Sequence, residues 1–256
     1  MGCHLLVISL KRTPERLCNF FKMNEDTLAD WEIDVINGID GVEQEQINKQ
    51  SRWISQSATN NWTKGAIGSA LSHIKAWRRC IELNKDVLVA EDDAVLAKNL
   101  KRKLEDLNII GKTANQKNMV LLGWNPDSVL QAEFSPGLEI ISLFEPMYPK
   151  LKQIEGIINS DRERHLCNLN RCFGLPTYWI NPCIAHELLD ACMPLKVEKN
   201  GMTRGIPEHV LLTLDGMLNN RYKSINAKVT IPPLAMALNN QQSSLTRGQT
   251  VHNFQG

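Results

Sequence analysis

Asp86-Val87-Leu88-Val89-Ala90-Glu91-Asp92-Asp93 is the stretch on which the fold turns. Its apolar run is too short for a free-standing helix and reads as a buried strand that breaks abruptly into three acids. Beyond the acids, Leu96, Leu100, Leu104 and Leu107 recur at helical spacing, so the triplet is expected between a strand and a helix. Upstream the pattern is similar. A strand-like run from His4 to Leu10 leads to Thr13-Pro14, a good N-cap and first-turn pair, and to a helix carrying Leu17, Phe20, Phe21 and Leu28. A second strand-like run ends in the turn Asn37-Gly38-Ile39-Asp40-Gly41. A helix from near Thr63 then places Ile67, Leu71, Ile74, Trp77 and Ile81 on one face and gathers Gly65, Gly68, Ser69 and Ser72 on the other, where small residues permit close backbone approach.

Downstream, Met119 to Gly123 reads as a strand leading to Asn125-Pro126, and residues 125 to 172 show no sustained periodicity. Order returns at Pro176 to Ile180, a strand followed by the cap Asn181-Pro182 and a helix through Ala185, Leu188 and Leu189. A last helix is expected over roughly Pro207 to Leu218, and the tail from Asn239 is polar and expected to be mobile without a ligand. Strands alternating with helices predict one α/β domain over residues 1–256: a mainly parallel sheet with helices on both faces. In such sheets ligands bind beyond the carboxyl ends of the strands, where the loop Lys11 to Arg16 and the acidic triplet should meet.

Composition narrows the partners. Hydrophobic residues make up 43% of the chain and charged residues 22%, which excludes a largely disordered protein. Lys plus Arg total 29 against 28 Asp plus Glu, so no global charge favours nucleic acid. The seven cysteines include no Cys-x-x-Cys pair and are expected to be reduced thiols. No apolar stretch approaches the length that spans a bilayer, and Leu6 stands where a myristoylation signal takes Ser or Thr. A cytoplasmic protein, docking at most on the inner membrane face, is expected.

Three adjacent carboxylates repel one another, so they call for a cation, and hard oxygen ligands suit Mn²⁺ or Mg²⁺. The competing reading is an acidic helix start, where carboxylates favour the helix dipole. Arg12 and Arg16 flank a helix N-terminus, which suits a diphosphate, although singly each reads equally as a solvated surface residue. His73 reads either as a packed histidine or as a phosphate contact. Glu208 and Asp215 are seven residues apart, hence on one face of the expected last helix, and either could act as a general base.

Together these stretches resemble glycosyltransferase family 25, which includes bacterial lipooligosaccharide galactosyltransferases and is related to collagen galactosyltransferases. The matching segments are Val7-Ile8-Ser9-Leu10 with Arg12 and Arg16, Asn37 to Gly41, Gly65 to His73 and Val89 to Leu96, with weaker matches at Gly174 to Leu189 and Pro232 to Ser244. Residues 125–172 are not covered and are the expected acceptor-side variable region. The resemblance implies a GT-A fold, a UDP-sugar donor with UDP-galactose first, Mn²⁺ or Mg²⁺, inverting transfer, and a glycan or glycolipid acceptor such as lipooligosaccharide. It implies metal binding by Asp93 with Glu91, and donor binding by Arg12, Arg16, Asp40, Gly41, Ser72, His73, Glu91 and Asp92. The family often has Glu and Cys where this chain has Ala66 and Ser69, and its late Pro-Val-Asp motif matches either Thr213-Leu214-Asp215 or Ile206-Pro207-Glu208, with Asp215 preferred as base. Two rivals follow: a UDP-sugar-binding protein without transferase activity, and a two-metal phosphodiester hydrolase.

Overall fold

The computed structural model describes residues 3–111, 118–143, 147–201 and 208–238. The polar tail from Asn239 and the Ile206-Pro207 half of one late motif lie outside the described residues. The first half of the chain runs β1 (Cys3–Ser9), α1 (Pro14–Leu28), β2 (Trp31–Asn37), α2 (Gln44–Asn48), α3 (Gln56–Asn61) and α4 (Lys64–Leu83), then β3 (Val87–Glu91), β4 (Ala94–Leu96) and α5 (Leu100–Asp106). The second half runs β5 (Val120–Leu121), β6 (Val129–Ser135), β7 (Leu138–Leu143), α6 (Leu151–Ile158), β8 (His165–Arg171), β9 (Thr177–Ile180) and α7 (Pro182–Cys192). It ends with β10 (Glu198–Asn200), β11 (His209–Leu211), α8 (Leu214–Leu218), β12 (Lys228–Ile231) and β13 (Ala235–Ala237).

Nine strands form one sheet in the order β2-β1-β3-β9-β5-β12-β8-β6-β7. The pairs β1–β2, β1–β3 and β5–β12 are parallel and the other neighbours antiparallel. Following these pairings along the sheet, β9, β8 and β7 oppose the direction of the other six. The α/β class with helices on both faces is as the alternating pattern predicts, and the sheet itself is mixed.

Both faces are covered because the apolar residues of β1 and β3 alternate sides. Leu6, Ile8, Val87 and Val89 pack against Ile67, Leu71, Ile74 and Trp77 of α4 with Leu188 of α7. Leu5, Val7, Leu88 and Ala90 pack the other way, against Phe20 of α1, Leu100 and Leu104 of α5, and Ile154 of α6. Each such fully buried large side chain stabilises the fold by about 1.5–3 kcal/mol. α7 starts as its sequence dictates: the Asn181 side chain accepts the Ile184 N–H at 2.9 Å, and Pro182 takes the first turn.

Several local expectations change. Leu96 belongs to β4, not to the helix that follows, because β4 pairs antiparallel with β13 and draws Ala94–Leu96 into extended backbone. Thr13 does not cap α1 with its side chain. The last helix is only Leu214–Leu218, since His209–Leu211 pairs with Glu198–Asn200 as β11. Glu208 and Asp215 therefore do not share a helix face. Residues 125–172, where no sustained periodicity is expected, contain the β6–β7 hairpin, α6 and β8; these are short elements, though α6 buries Ile154 and Ile158 at helical spacing and β8 buries alternate residues. Among the described residues, no helix is long and apolar enough to cross a membrane.

Candidate active site

The parallel register of the first three strands assembles the site. Ser9 lies opposite Asn37 and Ile8 opposite Glu91, so the loops leaving β1, β2 and β3 emerge side by side. Their backbones are clasped as well: Gly38 donates to the Ser9 carbonyl at 2.8 Å and Asp92 donates to the Ile8 carbonyl at 3.1 Å.

The loop after β2 lies directly on the small-residue face of α4. A Cβ on Gly41 would come within 1.8 Å of the Lys64 carbonyl oxygen, and one on Gly68 within 2.6 Å of both the Gly41 nitrogen and the Ile39 oxygen. Only hydrogen fits at both positions. Ser72 completes the clasp: its hydroxyl accepts the Ile39 N–H and donates to the Gly68 carbonyl, each at 2.7 Å. Thr63 starts α4 by accepting the Ala66 N–H at 3.1 Å.

The acidic triplet is not a helix start, since β4 follows it. Its three members have different partners. Asp92 is buried and fully engaged, accepting from the Ser9 hydroxyl at 2.7 Å and from Arg16 Nε at 2.8 Å and Nη2 at 2.7 Å. Burial raises its pKa, with Arg16 and Ser9 pulling the other way. Glu91 meets His73 Nε2 at 3.1 Å. Asp93 meets Arg16 Nη2 at 3.1 Å through Oδ2, while Oδ1 is shut from solvent without a partner among the described residues. Burial, then the charge of Glu91, push Asp93 up to about 7 against the pull of Arg16. Burial also acts to lower the Arg16 pKa, but Asp93 and Asp92 together outweigh it and the net shift is upward.

A cavity of about 260 Å³ opens over these loops and brings together Arg12, Arg16, Asp40, Gly41, Ser72, His73, Glu91, Asp92, Asp93 and Asp215. Arg12 is paired with Asp40, whose other oxygen accepts the Val42 N–H at 3.1 Å. Asp215 also lines the cavity, its carboxylate accepting the Gly174 N–H at 2.8 Å and the Gly216 N–H at 2.9 Å. Glu208 is not part of this wall: it pairs with Lys199 at 2.9 Å, and both side chains are about half exposed or more.

The same cavity contains residues that sequence reasoning did not single out: Ser9, Asn125, Pro176 and Thr213. Gly174, at φ +84, packs against the Asn125 side chain, 2.4 Å from where its Cβ would lie. Its clustering with Pro176 was the one local signal of a special turn.

Among the described residues, no cluster of three or more His, Cys, Asp or Glu side chains is arranged to enclose a metal ion. The donor chemistry nevertheless suits a hard cation that keeps most of its shell from elsewhere. Asp93 offers an orphaned carboxylate oxygen, and Glu91 lies on the same wall. Asp92 does not fit, because Ser9 and Arg16 occupy it.

No curated protein matches the chain. Among solved structures, a galactosyltransferase, LgtC, crystallised in complex with donor and acceptor sugar analogues, is similar at TM-score 0.39 and 10% identity, covering 88% of this chain and 72% of that one. The profile of "Glycosyltransferase family 25 (LPS biosynthesis protein)" matches residues 3–203, which include the clasped glycines, His73 and the acidic turn. This chain belongs to glycosyltransferase family 25.

Proposed function

We propose that the chain moves a hexose, with galactose from UDP-galactose as the first candidate, to a hydroxyl of a glycan acceptor such as lipooligosaccharide, with inversion. The observation that carries this reading is one cavity lined both by Asp93, one of whose carboxylate oxygens has no partner among the described residues, and by the backbone-fixed carboxylate of Asp215. Asp93 and Glu91 would hold Mn²⁺ or Mg²⁺, which when bound neutralises charge on the diphosphate leaving group. Arg12, whose side chain is 43% exposed, can turn from Asp40 toward a phosphate. Arg16, 20% exposed and bound to both Asp92 and Asp93, instead balances the acidic turn. The clasped Ile39–Gly41 backbone forms a rigid wall on which a nucleoside can lie.

Asp215 is the proposed general base. In a single displacement the acceptor oxygen bonds to the anomeric carbon and its proton passes to Asp215. The bond from that carbon to the phosphate oxygen breaks, and its electron pair leaves with the nucleotide. The two N–H donors fix the direction of the carboxylate, so it meets the acceptor hydroxyl without reorganising. The family match ends at residue 203, so this assignment rests on the geometry of α8 and Gly174. Work in the cytoplasm, with transient docking on the inner membrane face, fits a glycolipid acceptor.

Calorimetric titration with UDP and UDP-galactose, each in Mn²⁺ and in excess chelator, tests the proposal. Metal-dependent binding of both is expected. Absence of binding in both conditions would remove the donor assignment.

A further inference from the structure

Behind the acidic turn a buried polar chain of Trp77, Tyr178 and His73, which the proposed transfer chemistry does not use, runs up to Glu91. Trp77 Nε1 donates to the Tyr178 hydroxyl at 2.9 Å, the same hydroxyl is 2.9 Å from His73 Nδ1, and His73 Nε2 is 3.1 Å from Glu91 Oε1. Trp77 and Tyr178 are fully buried and His73 is 2% exposed, so the links from Trp77 to His73 are shielded from solvent. α4 supplies Trp77 and His73 one helical turn apart, and β9 sets Tyr178 beside Val89 of β3. These elements place the four side chains in a row that ends at the cavity wall.

The direction of every bond in the row follows from what each group can give. An indole N–H only donates, so it takes a lone pair of the phenol oxygen. The phenol then has one proton to place, and among the described residues the only acceptor that reaches it is His73 Nδ1. Nδ1 must therefore be unprotonated, which leaves the proton of the neutral ring on Nε2, pointing at Glu91.

We propose that Tyr178 is a positioning residue that locks His73 in the Nε2–H tautomer, so that the imidazole holds Glu91 by Oε1 and leaves Oε2 turned to the donor site. The opposite tautomer would turn a ring lone pair toward a carboxylate and strand the buried phenol proton. The last part, what Glu91 is held ready for, rests on the donor-site reading above. The tautomer itself does not.

The test is two-bond ¹H–¹⁵N correlation spectroscopy of protein labelled at histidine, without ligand, on wild type and Tyr178→Phe, with His73 assigned by His73→Gln. In the wild type His73 should show a pyrrole-type Nε2 and a pyridine-type Nδ1. In Tyr178→Phe the Nδ1 acceptor loses its donor, and the ring should shift toward a mixture of tautomers. With UDP-galactose, the same variant should raise KM several-fold and change kcat little. A wild-type ring protonated on Nδ1 would overturn the proposal whether or not Tyr178→Phe folds, and so would an unchanged tautomer in a folded Tyr178→Phe. The expected tautomer shift with no nucleotide binding even in the wild type would sink the donor reading and leave the lock standing.

Discussion

Replacing Asp93 with Asn keeps the shape of this side chain and removes its charge. In the folded protein burial, then Glu91, raise Asp93 from 3.8 to about 7, while Arg16 opposes them. Between about pH 4 and pH 7 the folded state therefore binds a proton that the unfolded chain has released. Stability consequently falls as the pH rises through that window and levels off above it. The shift is about three units, and at 1.36 kcal/mol per unit the ionised carboxylate costs about 4 kcal/mol at pH 8 as a ceiling. The asparagine has no charge to desolvate. Arg16 loses its contact with Asp93 in the variant but keeps Asp92, which trims the gain. Asp93→Asn should thus be more stable than the wild type at pH 8 by about 2–4 kcal/mol, and the difference should close toward pH 4. Urea denaturation of both proteins in chelator at pH 4.5 and pH 8 reads the two differences. A variant less stable than the wild type at pH 8, or a difference that does not change with pH, refutes the reasoning. The same variant should lose metal-dependent UDP binding, and retention of both binding and turnover would remove Asp93 from the metal.

Three further outcomes are expected. Gly68→Ala drives a Cβ into the Ile39–Gly41 backbone and should lower stability by about 1–3 kcal/mol or more, seen as a lowered thermal midpoint; an unchanged midpoint would mean that the loop is not clasped as described. Asp215→Asn should reduce kcat about 10²–10⁴-fold while UDP affinity stays within twofold, and unchanged transfer to a genuine acceptor would exclude Asp215 as the base. Glu208→Gln should leave kcat, KM and stability within about 0.5 kcal/mol of the wild type, because it disturbs only an exposed pair with Lys199; a large drop in kcat would reopen the choice of base.

Local patterns in the sequence carried the scaffold. The apolar runs at Leu5–Ile8 and Val87–Ala90 could only be strands buried on both faces, the period from Ile67 to Trp77 demanded a helix, and Asn181-Pro182 marked a helix start that the structure uses. The motif segments named Arg12, Asp40, His73 and the acidic turn, though it is strand pairing that brings them to one cavity. These features are legible because each depends on neighbours within one turn or one strand.

Tertiary structure decided the rest. Spacing alone made Glu208 and Asp215 equivalent, and the pairing of His209–Leu211 with Glu198–Asn200 separated them. The strands β8, β6 and β7, with β7 at the sheet margin, were hidden because their periods are short: β8 buries alternate residues over only seven positions. Within the triplet the resemblance put Asp93 first for the metal, with Glu91. What the fold adds is the physical difference among the three: it brings Ser9 and Arg16 to Asp92, His73 to Glu91 and, among the described residues, no partner to one Asp93 oxygen. Hydrogen-bond satisfaction in a buried site is a property of groups distant in the chain, and no local pattern records it.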